Sequence, residues 1–327
     1  MIVTGSSGHL GEALMRFAPR LGLRPFGVDI KDGPFTDLVA DINDADRLGE
    51  AMVGADGVIH TATLHKPHVA THSAQDFVQT NIAGTLSVLQ VAAQADVARF
   101  VFSSTTSAFG AALAGGAGKA ARWINEDVTP VPRNIYGVTK VAAEDLCELA
   151  HKTQGTGVVV LRVSRFFPEE DDNPEMRRAF SGQNAKTNEF MYRRIDIEDA
   201  AEAHCLALKR AGDIGFGRFV VSATTPFERN DCGELGVAPA AVVARRVPQL
   251  PALYERLGLK LPERFDRVYD NARAREALGW APRWTIDRVL EQLSKGVPIG
   301  SRLAEDVGTK GYHDQVFEDG PYPVDAR

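Results

Sequence analysis

At 327 residues, 44% hydrophobic and 24% charged, the chain has the composition of one large α/β unit or two globular lobes, not of a disordered segment. A formal net charge of −6 without a basic stripe argues against a nucleic-acid partner held by phosphate electrostatics. No apolar run approaches the ~20 residues of a membrane-spanning helix, and the three scattered cysteines, Cys147, Cys205 and Cys232, argue against a disulfide framework or a cysteine zinc site.

The chain opens on MIVTG, which reads as a strand and not as a secretion leader; a soluble, cytoplasmic protein with reduced thiols is expected. Short apolar, β-rich runs at 2–4, 25–29, 38–41, 57–62, 100–103 and 158–163 alternate with helical patterns at 8–17, 44–53, 76–95 and 136–152. The runs are too uniformly apolar for half-exposed antiparallel strands. They fit strands covered on both faces and joined by helical crossovers, the pattern of an α/β protein with a doubly wound parallel (Rossmann) sheet. After residue 165 the rhythm breaks at FFPEEDDNPEMRR (166–178), read as a loop into a smaller C-terminal lobe. A helix at 199–209 and a strand at 218–222 are expected to rejoin the sheet. From Thr225 short helices alternate with prolines, and the last ~30 residues lack periodicity and are expected to drape over the surface or pair with a partner.

The first run opens into GSSGHLG, which places Gly5, Gly8 and Gly11 in a strand-to-helix turn, with His9 and Leu10 inside it. Such glycines let backbone N–H groups approach a pyrophosphate at a helix N-terminus, where the helix dipole favours negative charge. Alone the turn is weak evidence; its place between the first strand and first helix of an alternating unit gives it weight. Asp29 ends the second run, near the ~20-residue offset of an acid that holds the adenosine ribose. An acid there repels a 2′-phosphate and favours NAD over NADP, with Lys31 two residues on blurring the choice. The plain alternative for Asp29 is a strand-end turn former.

YGVTK (136–140) puts Tyr136 and Lys140 four residues apart on one helix face. A tyrosine with an ordinary pKa of ~10 is a poor acid–base near neutral pH until something stabilises the phenolate. A nearby ammonium does this, and a drop of ~3 units needs about 4 kcal/mol. On its own the pattern is common on amphipathic helices. Upstream lies FSSTTSAFG (102–110), with five hydroxyl residues in a row from Ser103 to Ser107.

In this order, the glycine turn, Asp29, the Asp41–Ile42 pair, Asn81, the hydroxyl run and Y-x-x-x-K resemble the extended short-chain dehydrogenase/reductases, the NAD-dependent epimerase/dehydratase family. The likeness covers most of residues 1–210. NARAREALGWAP (271–282) also resembles that family's K/R-x-x-LGW-x-P pattern. The resemblance implies that Tyr136 exchanges a proton with a substrate hydroxyl or carbonyl, and that Lys140 holds the nicotinamide ribose and lowers the tyrosine pKa. It assigns Thr105, four residues before Phe109-Gly110, to the same substrate oxygen, and leaves the hydride to the nicotinamide. It places Asp41 and Ile42 at the adenine and Asn81 in support of the site. Ala62 and His65 fall in the loop that closes over the nicotinamide end, and Ser103 and Ser104 on the cofactor side. Residues 1–165 then form the dinucleotide-binding domain, to which about 195–223 return. Residues 166–327 supply mainly the substrate-binding lobe and the tail.

Dehydratases of the family carry Asp-Glu directly after the threonine, and some decarboxylases a Glu. Here stand Thr106 and Ser107, each structural or substrate-facing, so oxidation/reduction and epimerisation of a sugar or sugar-derived molecule remain. Arg165 replaces an Asn of many sugar epimerases, the 166–191 segment is short for a nucleotide-sugar site, and the F-P-E run at 167–169 resembles a branch that oxidises uronic acids. Arg165 suits a substrate carboxylate or phosphate, or else a surface ion pair with Glu169 or Glu170; Arg193 and Arg194 are weaker candidates. His65, His68 and His72 lack a carboxylate or cysteine partner, so no metal is expected. His60 and His204 read as packed or capping. A non-catalytic NAD sensor and a reductase of a non-sugar substrate are the alternatives; retention of Thr105, Tyr136 and Lys140 opposes the first. The resemblance also implies a homodimer through the 76–95 and 136–152 helices, whose apolar residues include Phe77, Ile82, Leu86 and Leu89, and Val141, Leu146 and Leu149.

Overall fold

Residues 1–113, 116, 118–171 and 173–311 are described by the structure, a computed structural model. The chain begins β1 (Ile2–Thr4), α1 (His9–Phe17), β2 (Phe26–Asp29), β3 (Leu38–Val39), α2 (Ala45–Met52) and β4 (Val58–His60). It continues α3 (Ala74–Phe77), α4 (Gly84–Gln94), β5 (Arg99–Thr105), β6 (Arg122–Ile124), α5 (Ile135–Gln154) and β7 (Gly157–Val163). After α6 (Pro174–Ala179) and α7 (Gly182–Phe190), α8 (Ile197–Ile214) leads into β8 (Phe216–Val221). Seven strands form one parallel sheet, ordered β3-β2-β1-β4-β5-β7-β8. This is the doubly wound Rossmann arrangement. The chain winds outward from β1 to β3 and restarts at β4 on the other side of β1. Loops leaving β1 and β4 therefore diverge and open a crevice at the carboxyl ends of the strands.

Helices cover both faces of the sheet, which is why the strand runs are uniformly apolar. Val3, Ile59, Val101, Val159 and Leu161 pack toward α1 and α8, while Ile2, Val58, Phe100, Phe102 and Val160 pack toward α2, α4 and α5. Beyond β8 lie α9 (Cys232–Leu235), α10 (Pro239–Arg246), α11 (Leu250–Leu257), β9 (Arg267–Tyr269), α12 (Ala272–Leu278), α13 (Ile286–Ser294) and α14 (Arg302–Val307). A second buried cluster, including Phe190, Leu235, Val243, Phe265, Trp284 and Leu290, joins α7 to most of these helices. β9 pairs in parallel with β6, Ile124 opposite Tyr269. The LGWAP turn after α12 buries Trp280 in the first cluster. It is pinned to α8 by the Arg283 and Trp284 N–H groups, which donate to Asp199 at 2.9 and 2.8 Å.

Several boundaries differ from the sequence reading. The fourth strand stops at His60, and the fifth runs on to Thr105. The helix expected at 76–95 starts at Ala74, because Ser73 and Asp76 cap each other's backbone N–H groups at 3.2 and 2.8 Å. It then passes through a π turn, Val78–Ala83, before α4. The segment expected as a loop after residue 165 contains α6, started by Asn173 as N-cap and Pro174 at its first position. α14, capped by Ser301, falls within the expected aperiodic tail; residues 312–327 of that tail lie outside the described residues. Among the described residues no helix is long and apolar enough to cross a membrane, and no group of three His, Cys, Asp or Glu is placed to hold a metal ion.

Candidate active site

The crevice holds a cavity of about 570 Å³, a size suited to a small-molecule or cofactor site. One end is built by the turn after β1. Gly5 has a φ of +73°, and a β-carbon there would lie 2.7 Å from the Ala62 nitrogen. At Gly11 a β-carbon would come 1.9 Å from the Gly5 oxygen, so α1 starts flush against the turn. Gly8, the N-cap, has no side chain to satisfy the first-turn N–H groups of α1. The Ser7 and Lys31 N–H groups each donate to an Asp29 carboxylate oxygen at 2.9 Å and fix that acid at the end of β2. Gly5, Gly8, His9, Leu10, Gly11, Asp29, Asp41 and Ile42 all border the cavity. A helix start capped by a residue without a side chain, a fixed acid and the apolar Ile42 are what a dinucleotide's pyrophosphate, ribose and adenine need, so the residues fit that cofactor.

Ala62 and His65 border the cavity from the loop after β4. Asn81 does not; it lies behind that loop, inside the π turn, and is 2% exposed. Its Oδ1 accepts from Thr63 Oγ1 at 2.9 Å and from the Leu64 N–H at 2.8 Å, and its Nδ2 donates to Leu64 O at 2.8 Å and Thr139 Oγ1 at 3.0 Å. Asn81, within the π turn, thus ties the loop to α5. The His65 ring stacks on Phe167 at 5.6 Å. His68 Nδ1 accepts from the His65 N–H at 3.0 Å. His60 is packed as expected, bonded to Thr4 and Thr85, and burial pulls its pKa down to about 3.

Asn134 caps α5 by accepting from the Gly137 N–H at 3.0 Å, which sets Tyr136 in the helix's first turn. Thr105, at the end of β5, accepts from the Ser107 N–H at 3.1 Å. Thr105, Thr106 and Tyr136 border the cavity. Lys140 is 2% exposed and lies behind it, donating to Ser103 O at 2.6 Å with its ammonium 4.0 Å from the centre of the Phe102 ring. Burial pulls Lys140 down to about 7. Burial also pushes Tyr136 up to about 12. The tyrosine shift is thus opposite to the expected lowering. The phenol pays the larger cost for desolvation, and the lysine that was to offset it is directed to a backbone carbonyl.

Ser103 borders the cavity, but its hydroxyl is committed to His204 Nε2 at 2.8 Å on the α8 side. His204 Nδ1 bonds Ala200 O at 2.7 Å, which assigns the proton to Nδ1 and makes Nε2 the acceptor. Ser104 points the opposite way and donates to Glu144 Oε1 at 2.5 Å. Glu144 in turn holds Arg162 Nη2 at 2.7 Å, and the guanidinium lies 4.9 Å from the centre of the Phe109 ring. This buried network fastens α5 to β5 and β7, and no local motif marks it.

The remaining wall carries Arg165, Arg193, Arg267, Phe167 and Tyr269. Arg165 bonds Glu170 O at 2.8 Å and lies 3.7 and 3.9 Å from Asp171 and Glu189, which corrects the expected pairing with the Glu169 or Glu170 side chain. Glu169 instead meets His9 at 3.1 Å. Arg193 and Arg194 share Glu189 with Arg165, and Arg193 also reaches Asp171. Among the described residues the only carboxylates bordering the cavity are Asp29 and Asp41. Arg267, Tyr269 and Lys310 were not anticipated: the first two lie in the region read as short helices alternating with prolines, where the structure has β9, and Lys310 in the expected aperiodic tail.

The GDP-6-deoxy-D-mannose reductase of Pseudomonas aeruginosa is 27% identical over 313 residues, 90% of this chain and 95% of that protein. The low-salt glycan biosynthesis protein Agl12 of Haloferax volcanii is 25% identical over 319 residues, 89% of this chain and 96% of that protein. A short-chain dehydrogenase/reductase superfamily protein from Agrobacterium tumefaciens, solved with bound NAD, shares the fold with a TM-score of 0.64 at 21% identity, covering 93% of this chain and 98% of that one. Residues 1–221 match the description of one family across the glycine turn, the hydroxyl run and Y-x-x-x-K: the chain belongs to the NAD dependent epimerase/dehydratase family.

Proposed function

We propose that this protein moves a hydride at a C–OH or C=O carbon of a sugar or sugar-derived molecule, as a dehydrogenase/reductase or an epimerase, with Tyr136 as general acid–base. The observation that carries the reading is one continuous cavity bordered both by Asp29 and the glycine turn and by Thr105 and Tyr136. NAD, when bound, supplies the hydride acceptor or donor. Thr105 orients the substrate oxygen, Tyr136 gives or takes its proton, and Lys140 braces the end of β5 from behind. The lack of a bordering carboxylate beyond Asp29 and Asp41 among the described residues argues against dehydration, which needs an added acid and base near the reacting carbon. Arg165, Arg193 and Arg267 border the cavity while each also pairs with a protein carboxylate, Arg267 with Asp266, and their guanidinium groups favour a substrate with a negatively charged group.

The test is a panel of free sugars, uronic acids and nucleotide sugars offered with NAD or NADP, read by NADH or NADPH absorbance and by product stereochemistry. Turnover is expected with an anionic member, with NAD at least about tenfold more effective than NADP because Asp29 opposes a 2′-phosphate. Water elimination as the main product, or no turnover across the panel, would refute the reading.

The proposal includes a homodimer through α4 and α5. Leu86 on α4 and Val138 and Leu149 on α5 are exposed, while Phe77 and Leu89 are buried within the chain. Sedimentation at micromolar concentration is expected to give twice the chain mass; a clean monomer would rule the dimer out.

A further inference from the structure

The first turn of the phosphate-loop helix carries an acid that works against a phosphate. Glu12 is 6% exposed and sits four residues after the N-cap Gly8. Helical side chains lean toward the N-terminus, so this carboxylate offsets the positive potential by which the helix dipole favours an anion. Two cations answer it. Arg16, one turn on, holds Oε1 at 2.8 Å. Lys310 holds Oε2 from the far end of the chain, 298 positions away.

Lys310 is also placed at the cavity. Lys310 and Gly311 border it together with Gly8, His9 and Gly11. Nearby, His9 Nε2 lies 3.1 Å from Glu169 Oε1; burial pushes the Glu169 carboxyl up, and the His9 imidazole outweighs it and holds that carboxyl below its usual range. Lys310 thus ties the C-terminal segment to α1 through Glu12. The segment is delivered by α14, which packs on α1 and α8 and is anchored where the Ser301 N–H donates to Asp196 at 2.9 Å.

We propose that Lys310 is a dinucleotide-affinity residue: by neutralising Glu12 it makes the start of α1 receptive to a pyrophosphate, and it couples the seating of the C-terminal segment to cofactor retention. The inference rests on the cavity taking a dinucleotide. It names a residue outside the family's matched region, which ends at residue 221.

The experiment is a fluorescence titration of the full chain with NADH, comparing wild type, Lys310→Met, Glu12→Gln and the double variant. Lys310→Met is expected to raise Kd about tenfold, in line with the loss of a partner from a mostly buried charge, and to flatten its dependence on salt. Glu12→Gln in the Lys310→Met background is expected to restore most of the lost affinity, because the carboxylate that Arg16 alone then offsets is gone. An unchanged Kd in Lys310→Met would overturn the proposal, as would a double variant as weak as Lys310→Met. A wild-type chain that binds neither NADH nor NADPH would instead remove the functional reading beneath it.

Discussion

Tyr136→Phe lowers turnover by about 10³-fold while leaving dinucleotide affinity nearly unchanged. The magnitude is that of a lost general acid–base. The phenyl ring keeps the shape of a side chain that is 8% exposed, so α5 and its cap at Asn134 stay in place. The pH dependence follows from the same group. With its pKa pushed up to about 12 by burial, Tyr136 is protonated throughout the neutral range. It is then ready to give a proton to a carbonyl oxygen, whereas oxidation of a hydroxyl needs the phenolate. The oxidative rate of the wild type therefore climbs as pH rises above neutrality, and the reductive rate does not. Turnover of Tyr136→Phe within tenfold of wild type, measured on a substrate found in the panel, would dismiss the assignment.

Glu144→Leu costs about 3–5 kcal/mol of stability, read from the denaturant midpoint. Glu144 is 1% exposed and Arg162 4%, and the two share hydrogen bonds at 2.7, 3.1 and 3.2 Å. Removing the acid leaves a buried guanidinium without its carboxylate and takes the acceptor from Ser104. Arg218, 3.4 Å from the same carboxylate, loses less because it also holds Asp145 and Glu148. The double variant Glu144→Leu/Arg162→Met recovers most of the loss, since no unpaired charge remains. Turnover falls in the single variant as well, because Glu144 lies on the helix that carries Tyr136. A cost below about 1 kcal/mol would show that the pair does not fasten α5.

The fold was legible because its signals are local. Strands buried on both faces read as apolar runs, and the glycine turn, Asp29 and Y-x-x-x-K each occupy a few consecutive positions or a fixed offset. Even the early start of the helix at Ala74 has a local signature in Ser73 and Asp76. What could not be read depends on partners brought together by folding. The direction of Ser103 follows from His204, 101 positions away, and the Lys140 bond to Ser103 O follows from the packing of α5 on β5. The Tyr136 shift depends on burial, which Y-x-x-x-K does not encode. Arg267, Tyr269 and Lys310 reach the cavity from segments without a chemical motif, and only the β6–β9 pairing and the docking of α14 bring them there.

The most direct measurement uses a substrate carrying deuterium on the carbon proposed to react, turned over in ordinary water. Hydride chemistry keeps that deuterium away from solvent. It leaves with the reduced cofactor in a dehydrogenase, or returns to the same carbon with inverted configuration in an epimerase. The prediction is that none of it exchanges into water. Washout of the label into solvent during turnover would mean that the carbon loses a proton instead, and would contradict the account.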